Sequence, residues 1–241
     1  MATPVRFPNG VTNVSPTDLM GQMGVLDPTQ YIVDFNDFMS FNATSGEEYT
    51  ITNTGAATEA LSSAHGPGGV LLLSNAAADN DLVTLQRPVE AFKFTSGKKV
   101  WFASRLKILD AGSDVTQSDV FVGLIITDTT LEAGITDGVY FTKADGVAGT
   151  INFISTMNST ATTQSAVATF VHNTFIELGF YYDGGTALEV YVNNAKVATV
   201  TVALGTTLVN DEELTVTFGI QNGEAVSKVM AIDYHFACQE R

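Results

Sequence analysis

Carboxylate pairs are the residues in this sequence that could most readily support catalysis on a sugar chain. Glycoside hydrolysis uses two carboxylates about 5–9 Å apart on either side of the scissile bond. Two side chains on one strand share a face only when they are two or four residues apart. Glu47-Glu48 and Glu212-Glu213 are adjacent, so each pair points to opposite faces if the backbone is extended. We therefore predict solvated carboxylates and a protein that is not an enzyme.

Histidine and cysteine offer no better catalytic or metal site. His65, His172 and His235 are the only histidines, and none has a Cys or His partner at metal-ligand spacing. No Gly-x-Ser-x-Gly sequence marks a nucleophilic serine. Cys238 is the single cysteine and stands in an alternating, aromatic-rich segment, so we expect a small apolar filler rather than a nucleophile. The pattern predicts no metal and no cofactor.

Calcium is an alternative that the acidic loops leave open. Asp79-Asn80-Asp81, the pair Asp110 and Asp114, and Asp145 could supply oxygen ligands from loops. They do not form the Asp-x-Asp-x-Asp-Gly pattern of a calcium loop. Because the chain has 26 acidic and only 11 basic residues, most carboxylates must simply face water.

The charge balance excludes two classes of partner. Eleven basic and 26 acidic side chains give 11 − 26 = −15, which opposes binding to nucleic acid or to an anionic membrane. The longest apolar runs, 70–73 and 121–126, are strand-sized and far below the roughly 20 residues of a membrane span. The start of the sequence, Met1 to Arg6, has no apolar run after it, so no secretory signal is predicted.

From Tyr31 onward the apolar residues alternate with a period of two, which predicts strands. Trp101 stands in the longest alternating run, between Val100 and Phe102, and we expect it in the core rather than in a sugar-stacking platform. Gly, Asn and Asp separate the runs at intervals of roughly 8–12 residues, which is typical of an all-β sandwich. The predicted strands include 49–52, 82–85, 92–94, 99–108, 119–126, 138–143, 150–155, 165–170, 175–182, 188–192, 197–202, 214–221 and 229–237. The Ser/Thr/Ala-rich segment 156–165 is predicted to be a surface hairpin loop.

One three-stranded segment, 178–197, carries a resemblance to a known architecture. Asp183-Gly184 and Asn193-Asn194 are turn dipeptides between alternating strands, and the second strand ends in Tyr191-Val192-Asn193. This arrangement resembles the penultimate strands of laminin-G-like and concanavalin-like jelly rolls. We predict an all-β, two-sheet antiparallel jelly-roll sandwich formed by one domain, residues 31–241.

Residues 1–30 differ in composition from the rest of the chain and are predicted to form an extended N-terminal arm. Pro4, Pro8, Pro16 and Pro28 exclude a continuous helix and a central strand. The arm is nevertheless apolar, so its side chains need a cover. That cover is either a partner protein or the chain's own domain, and both alternatives are open.

Several blocks along the whole chain together resemble a family of structural virion proteins of tailed bacteriophages. The blocks are Arg6-Phe7-Pro8-Asn9-Gly10-Val11-Thr12-Asn13-Val14, Asp34-Phe35-Asn36-Asp37-Phe38, Gly97-Lys98-Lys99-Val100-Trp101-Phe102, Thr136-Asp137-Gly138-Val139-Tyr140-Phe141 and Phe218-Gly219-Ile220-Gln221-Asn222-Gly223-Glu224. The resemblance implies a capsid decoration protein on the virion surface, assembled in the host cytoplasm. Its implied partners are the major capsid protein and further copies of the chain.

We expect the arm to carry the affinity for the capsid, by adding to a strand edge and filling pockets with apolar side chains. The predicted partner-binding residues are Arg6, Phe7, Pro8, Asn9, Val11, Val14, Leu19 and Met20. The competing role is a glycan-binding adhesin for attachment to a host, although no exposed aromatic cluster is evident in the sequence.

Overall fold

The fold is that of a two-sheet β-sandwich. The computed structural model describes residues 17–23, 26–63, 68–110, 112 and 114–241. The described strands are β1 Tyr31–Asn36, β2 Thr50–Thr54, β3 Ala57–Leu61, β4 Leu71–Asn75, β5 Leu82–Gln86, β6 Val100–Asp110, β7 Ser118–Ile125, β8 Gly138–Lys143, β9 Thr150–Met157, β10 Thr160–Thr169, β11 Ile176–Tyr182, β12 Ala187–Val192, β13 Ala195–Thr201, β14 Thr215–Asn222 and β15 Lys228–Glu240. Helix within these residues is limited to two short 3₁₀ turns, Leu19–Gln22 and Leu131–Ala133.

All strand pairs are antiparallel and form two sheets. Sheet A has the order β13-β12-β11-β6-β15-β4-β3, and β1 pairs with the second half of β15. Sheet B has the order β10-β9-β8-β7-β14-β5-β2. The predicted jelly-roll sandwich is therefore confirmed.

The core lies between the two sheets because inward-facing positions alternate along each strand. On β6, Val100, Phe102, Leu106 and Ile108 are fully buried in this core. The rings of Phe153 on sheet B and Phe180 on sheet A lie 5.7 Å apart and join the two layers.

The hairpin turns predicted from the sequence are present. Asn193 and Asn194 have φ of +48° and +62°, which is the conformation that a two-residue turn between β12 and β13 requires. Gly184, in the turn before β12, has φ of +84°.

Three predictions about local structure are wrong. Segment 156–165 is not a loop, because Asn158 and Ser159 alone make the turn and β10 starts at Thr160. The predicted strand 92–94 reduces to an isolated bridge between Phe92 and Leu214. Within the arm, residues 19–22 form a 3₁₀ turn instead of an extended chain.

None of the helices in the described parts of the chain has both the length and the apolar character to cross a membrane.

Candidate functional site

The outer face of sheet A, which points away from the core, carries an unusual number of aromatic side chains. Trp101 on β6 pairs with Cys238 on one side and with Tyr181 on the other. Tyr191 on β12 pairs with Gly179, and Phe236 on β15 pairs with Ala103. These side chains form a buried cluster separate from the main core, and we call it the outer aromatic face: Leu19, Trp101, Ala103, Tyr181, Tyr191, Phe236 and Cys238.

Gly179 leaves a hole in this face, and Leu19 of the arm fills it. A Cβ atom at Gly179 would lie 2.5 Å from Leu19 Cδ2, so no side chain other than hydrogen is compatible with this contact. We call this position, which Leu19 fills, the Gly179 pocket; the buried residues that cluster with Leu19 are Trp101, Ala103, Tyr181 and Tyr191 among others. Glycine inside a strand often marks a close approach of another part of the chain, which is its role here.

One hydrogen bond fixes the arm in this position. The backbone N–H of Leu19 donates to Asn194 Oδ1 at 3.2 Å, and Asn194 is presented by the positive-φ turn between β12 and β13. Leu19 is only 1% exposed, whereas Met20 is 38% exposed. Met23 also packs against the cluster. Arm residues 17–23 therefore use Leu19 as their main contact with the body.

Trp101 is fully buried, but its position differs from the prediction. Val100 and Phe102 point into the core, whereas Trp101 points outward and is covered by Leu19, Tyr31 and Tyr181. Its ring lies 5.3 Å from that of Tyr181 and 6.1 Å from that of Tyr31. The indole Nε1–H has no hydrogen-bond partner. A buried donor without an acceptor is unfavourable, so the cluster around Trp101 leaves one polar group unpaired.

Charged groups border the pocket on the side of β12 and β13. Glu189 accepts a hydrogen bond from the Tyr191 hydroxyl at 2.6 Å and pairs with Lys196 at 2.5 Å. Burial opposes ionisation of Glu189, but the bonds from Lys196 and Tyr191 outweigh it and lower its pKa. Burial and nearby carboxylates raise the pKa of Tyr181 to about 12. The tyrosines are thus neutral donors and Glu189 is an anionic acceptor.

The apolar character of the outer face continues into an exposed strip on strand β1. Val33 pairs with Cys238 and Phe35 pairs with Phe236, so both lie on the same face as Trp101. Val33 is 42% exposed and Phe35 is 59% exposed. We call these two residues the β1 strip.

On the inner side of β1, a polar network joins the two sheets. Arg87 makes two hydrogen bonds to Asp34, at 2.8 and 2.7 Å, and its guanidinium lies 4.4 Å from the centre of the Tyr49 ring. His235 Nε2 lies 3.2 Å from Asp34 Oδ2. Burial lowers the pKa of His235, although the Asp34 carboxylate acts in the opposite direction. For Asp34, burial is outweighed by hydrogen bonds from His235 and Arg87, and its pKa is strongly lowered. This network stabilises the fold, and Asp34, Glu48 and Arg87 also line a surface pocket beside β1.

The predicted acidic sites have structural roles where the structure describes them. The Asp110 side chain is fully buried and pairs with Lys228 at 2.8 Å. Lys228 also contacts Glu224 at 2.6 Å. The described residues contain no group of three or more side chains arranged to hold a metal ion. Of the carboxylate pairs, Glu48 accepts from Asn36 and Glu213 pairs with Lys93 at 3.1 Å. Cys238 is buried behind Trp101, and burial raises its thiol pKa to about 12.

The predicted partner-binding residues fall into two groups. Arg6, Phe7, Pro8, Asn9, Val11 and Val14 lie outside the described residues. Leu19 and Met20 are described, and the prediction for Leu19 needs correction because its side chain is buried against its own body. For this part of the arm, the alternative in which the arm covers its own domain is the better description.

Comparisons with known proteins inform the fold. No family model matches the chain, and no curated protein matches it. Peanut lectin is similar over 87% of this chain and 97% of its own, with a TM-score of 0.60 and 12% sequence identity. The chain has a lectin-like jelly-roll fold.

Other similar structures differ in their activity. A Shewanella oneidensis MR-1 protein of unknown function matches over 88% of this chain and 87% of its own, with a TM-score of 0.60 and 15% identity. An endo-β-1,4-glucuronan lyase from Trichoderma reesei matches over 85% of this chain and 94% of its own, with a TM-score of 0.56 and 11% identity. Lectins and glycan-active enzymes thus share the fold, and at such identities the similarity establishes the fold alone. The resemblance to virion proteins stays a prediction.

Proposed function

We propose that this protein is a non-catalytic structural component of a bacteriophage particle that decorates the outer surface of the capsid. In this proposal residues 1–30 are the attachment arm and residues 31–241 are a rigid body. The observation that carries the proposal is the β1 strip, an exposed apolar surface on the strand that directly follows the arm. The partner is the major capsid protein, and the site of action is the virion surface.

The buried position of Leu19 changes how the arm works in this proposal. Leu19 fixes residues 17–23 to the body, so it orients the arm instead of contacting the capsid. The contacts with the capsid then come from residues before Thr17, from the exposed Met20 and from the β1 strip. Several copies bound to symmetry-related capsid sites would form a homo-oligomeric layer.

The edge position of β1 supports a role in binding. β1 pairs with β15 on one side, and no other described strand pairs with it. An exposed apolar edge strand is a ready site for pairing with another chain. Phe35 would be the central contact because it is the larger and the more exposed of the two residues of the strip.

The experiment compares how the wild-type protein and its variants bind to purified capsids of the bacteriophage that encodes the chain. We expect Phe35→Asp and a deletion of residues 2–16 to reduce co-sedimentation with capsids at least tenfold. Val171→Asp is the matched control, because Val171 is also 59% exposed but lies in the loop between β10 and β11. The deletion stops before Thr17, so the cover over Trp101 stays in place. Full occupancy by both altered proteins would contradict the proposal.

A second candidate function is carbohydrate binding, as in an adhesin for host attachment. It is supported by the lectin-like fold, since peanut lectin and the lectin II of Ulex europaeus match nearly all of this chain. A glycan array probed with the purified full-length chain tests it. Binding to a defined glycan without release of reducing sugar supports the adhesin, whereas steady release of sugar from a polysaccharide would make the protein an enzyme.

A further inference from the structure

The Gly179 pocket combines three features that a saccharide site requires. It has aromatic walls on which the apolar face of a sugar ring can stack, namely Trp101, Tyr181 and Tyr191. It has a polar border in Glu189 and Lys196 that can bond to hydroxyl groups. It also has a buried donor, Trp101 Nε1–H, that lacks an acceptor.

We propose that the Gly179 pocket is a saccharide-binding site and that Leu19 occupies it when no ligand is bound. This inference rests on the second candidate function, carbohydrate binding, and assigns it a place on the molecule. It also gives the arm a second role, because a ligand must displace residues 17–23 before it can enter.

Leu19 is an incomplete occupant of this pocket. Its aliphatic side chain fills the space above Gly179 but offers no acceptor to the Trp101 indole. A sugar hydroxyl that reached Trp101 Nε1 would accept that hydrogen bond. Its ring would replace the apolar contact that Leu19 makes with the aromatic walls.

The attachment of residues 17–23 is slight enough to be reversed. Its described contacts include the Leu19 side chain, partial burial of Met23 and the hydrogen bond from Leu19 N–H to Asn194 Oδ1, and Thr17 makes a further contact. Residue 20, between them, points largely into solvent. Removal of this cover leaves both sheets and the main core unchanged, since Leu19 belongs to the outer cluster alone.

The single tryptophan makes the site measurable. The chain contains one Trp, so all of its tryptophan fluorescence comes from Trp101. The experiment uses the full chain as wild type, Leu19→Ser and Met20→Ser. Acrylamide quenching is measured first, and then titration with soluble tetrasaccharides of glucose, galactose, mannose and N-acetylglucosamine. Met20→Ser is the matched control, because Met20 is the neighbouring residue on the same turn but does not enter the pocket.

We expect Leu19→Ser to raise the quenching constant at least threefold and Met20→Ser to leave it unchanged. At least one tetrasaccharide should then bind Leu19→Ser tenfold more tightly than wild type and restore protection of Trp101. Addition of Glu189→Gln to Leu19→Ser should weaken that binding at least fivefold. Should Leu19→Ser fold poorly, Asn194→Gly loosens the same segment without a change in Leu19 and keeps the positive-φ turn.

Two outcomes would overturn this assignment and remain distinct from failure of carbohydrate binding. If Trp101 becomes accessible in Leu19→Ser and no tetrasaccharide protects it, the pocket is not a saccharide site, even where the glycan array is positive. If a tetrasaccharide binds wild type and Leu19→Ser equally and Glu189→Gln has no effect, the sugar binds elsewhere on the protein. If the array and the titrations are both negative, carbohydrate binding itself is excluded.

Discussion

Each outer face of the sandwich has an apolar cluster in which a side chain packs over a glycine of the sheet, but the segment that completes the cluster differs between the two faces. On sheet B, Phe121 lies over Gly219, where an added Cβ would come within 2.0 Å of the ring. On sheet A, Leu19 lies over Gly179 in the same way. The sheet B cluster is completed by Leu131, from the loop that joins β7 to β8. The sheet A cluster is completed by Leu19 of the arm, which precedes the first strand of the sheet.

The two clusters therefore differ in whether the segment that buries them can leave without loss of the fold. A loop fixed between two strands of one sheet cannot leave without disruption of that sheet. The arm is not part of sheet A before Tyr31, so Leu19 can leave while the sheet below it stays paired. The two glycines therefore predict two different mutational responses.

The largest effect is expected for Phe121→Ala. Loss of a buried phenylalanine from a region that cannot detach should lower the free energy of unfolding by about 3–5 kcal/mol. Urea denaturation monitored by circular dichroism measures it. A loss below about 1 kcal/mol would show that the sheet B cluster is as loosely held as the arm.

Leu19→Ala should lower the free energy of unfolding by less than Phe121→Ala does, because the loss cannot exceed the free energy with which the arm binds to the body. Burial of a leucine side chain contributes about 1.5–3 kcal/mol, and part of that is recovered when the arm detaches. We expect a loss of about 1–2 kcal/mol in urea denaturation, with a red shift of Trp101 emission in the folded protein. A loss as large as that of Phe121→Ala would remove the distinction between the two faces.

Acid should weaken the body through His235 and Asp34. In the folded state the pKa of His235 is lowered by burial, so the unfolded chain binds the proton more strongly. Stability is therefore complete above the ordinary histidine pKa of about 6.5 and falls as the pH drops below it. The lowered pKa of Asp34 acts in the same direction below about pH 4. His235→Gln should flatten the loss of unfolding free energy between pH 7 and 5, and His172→Gln should not.

The smallest effect is expected for Asn194→Gly, which removes the acceptor for the Leu19 amide and keeps a residue that tolerates the positive φ of the turn. A single hydrogen bond of this kind contributes about 0.5–1.5 kcal/mol. Hydrogen exchange should show faster exchange of the arm amides and unchanged exchange in β6 and β11. Equal acceleration in all of these segments would mean that the arm and body open together.

The sequence was sufficient to predict the fold because alternation and turn chemistry are local signals. Tyr181, Asp183 and Asn193 stand close together in the chain, and their order predicts the meander that the structure contains. The strands that escaped prediction are β1, β3, β4 and most of β10. β1, β3 and β10 are edge strands with half-buried or exposed side chains, so their sequences carry little apolar alternation. β4 begins with three leucines in a row, and such a run shows no alternation either.

The Gly179 pocket could not be predicted because it depends on contacts between distant residues. Asn194 holds Leu19 across a separation of 175 residues, and no local pattern records that pairing. The one available signal was Gly179 itself, a glycine inside an aromatic strand. For Trp101, alternation correctly predicted burial but assigned it to the wrong face, because the sequence does not show that the outer face is covered.

The way that β1 enters sheet A has a mechanical consequence. β1 and β4 lie end to end along β15, and β15 pairs with β6 on its other side. A pull on the arm at Tyr31 reaches β1 and then β15, the longest strand described, which passes the load to its neighbours on both edges. Tension on the arm thus acts first on the six residue pairs between β1 and β15, and β15 is held in turn by β6 and β4.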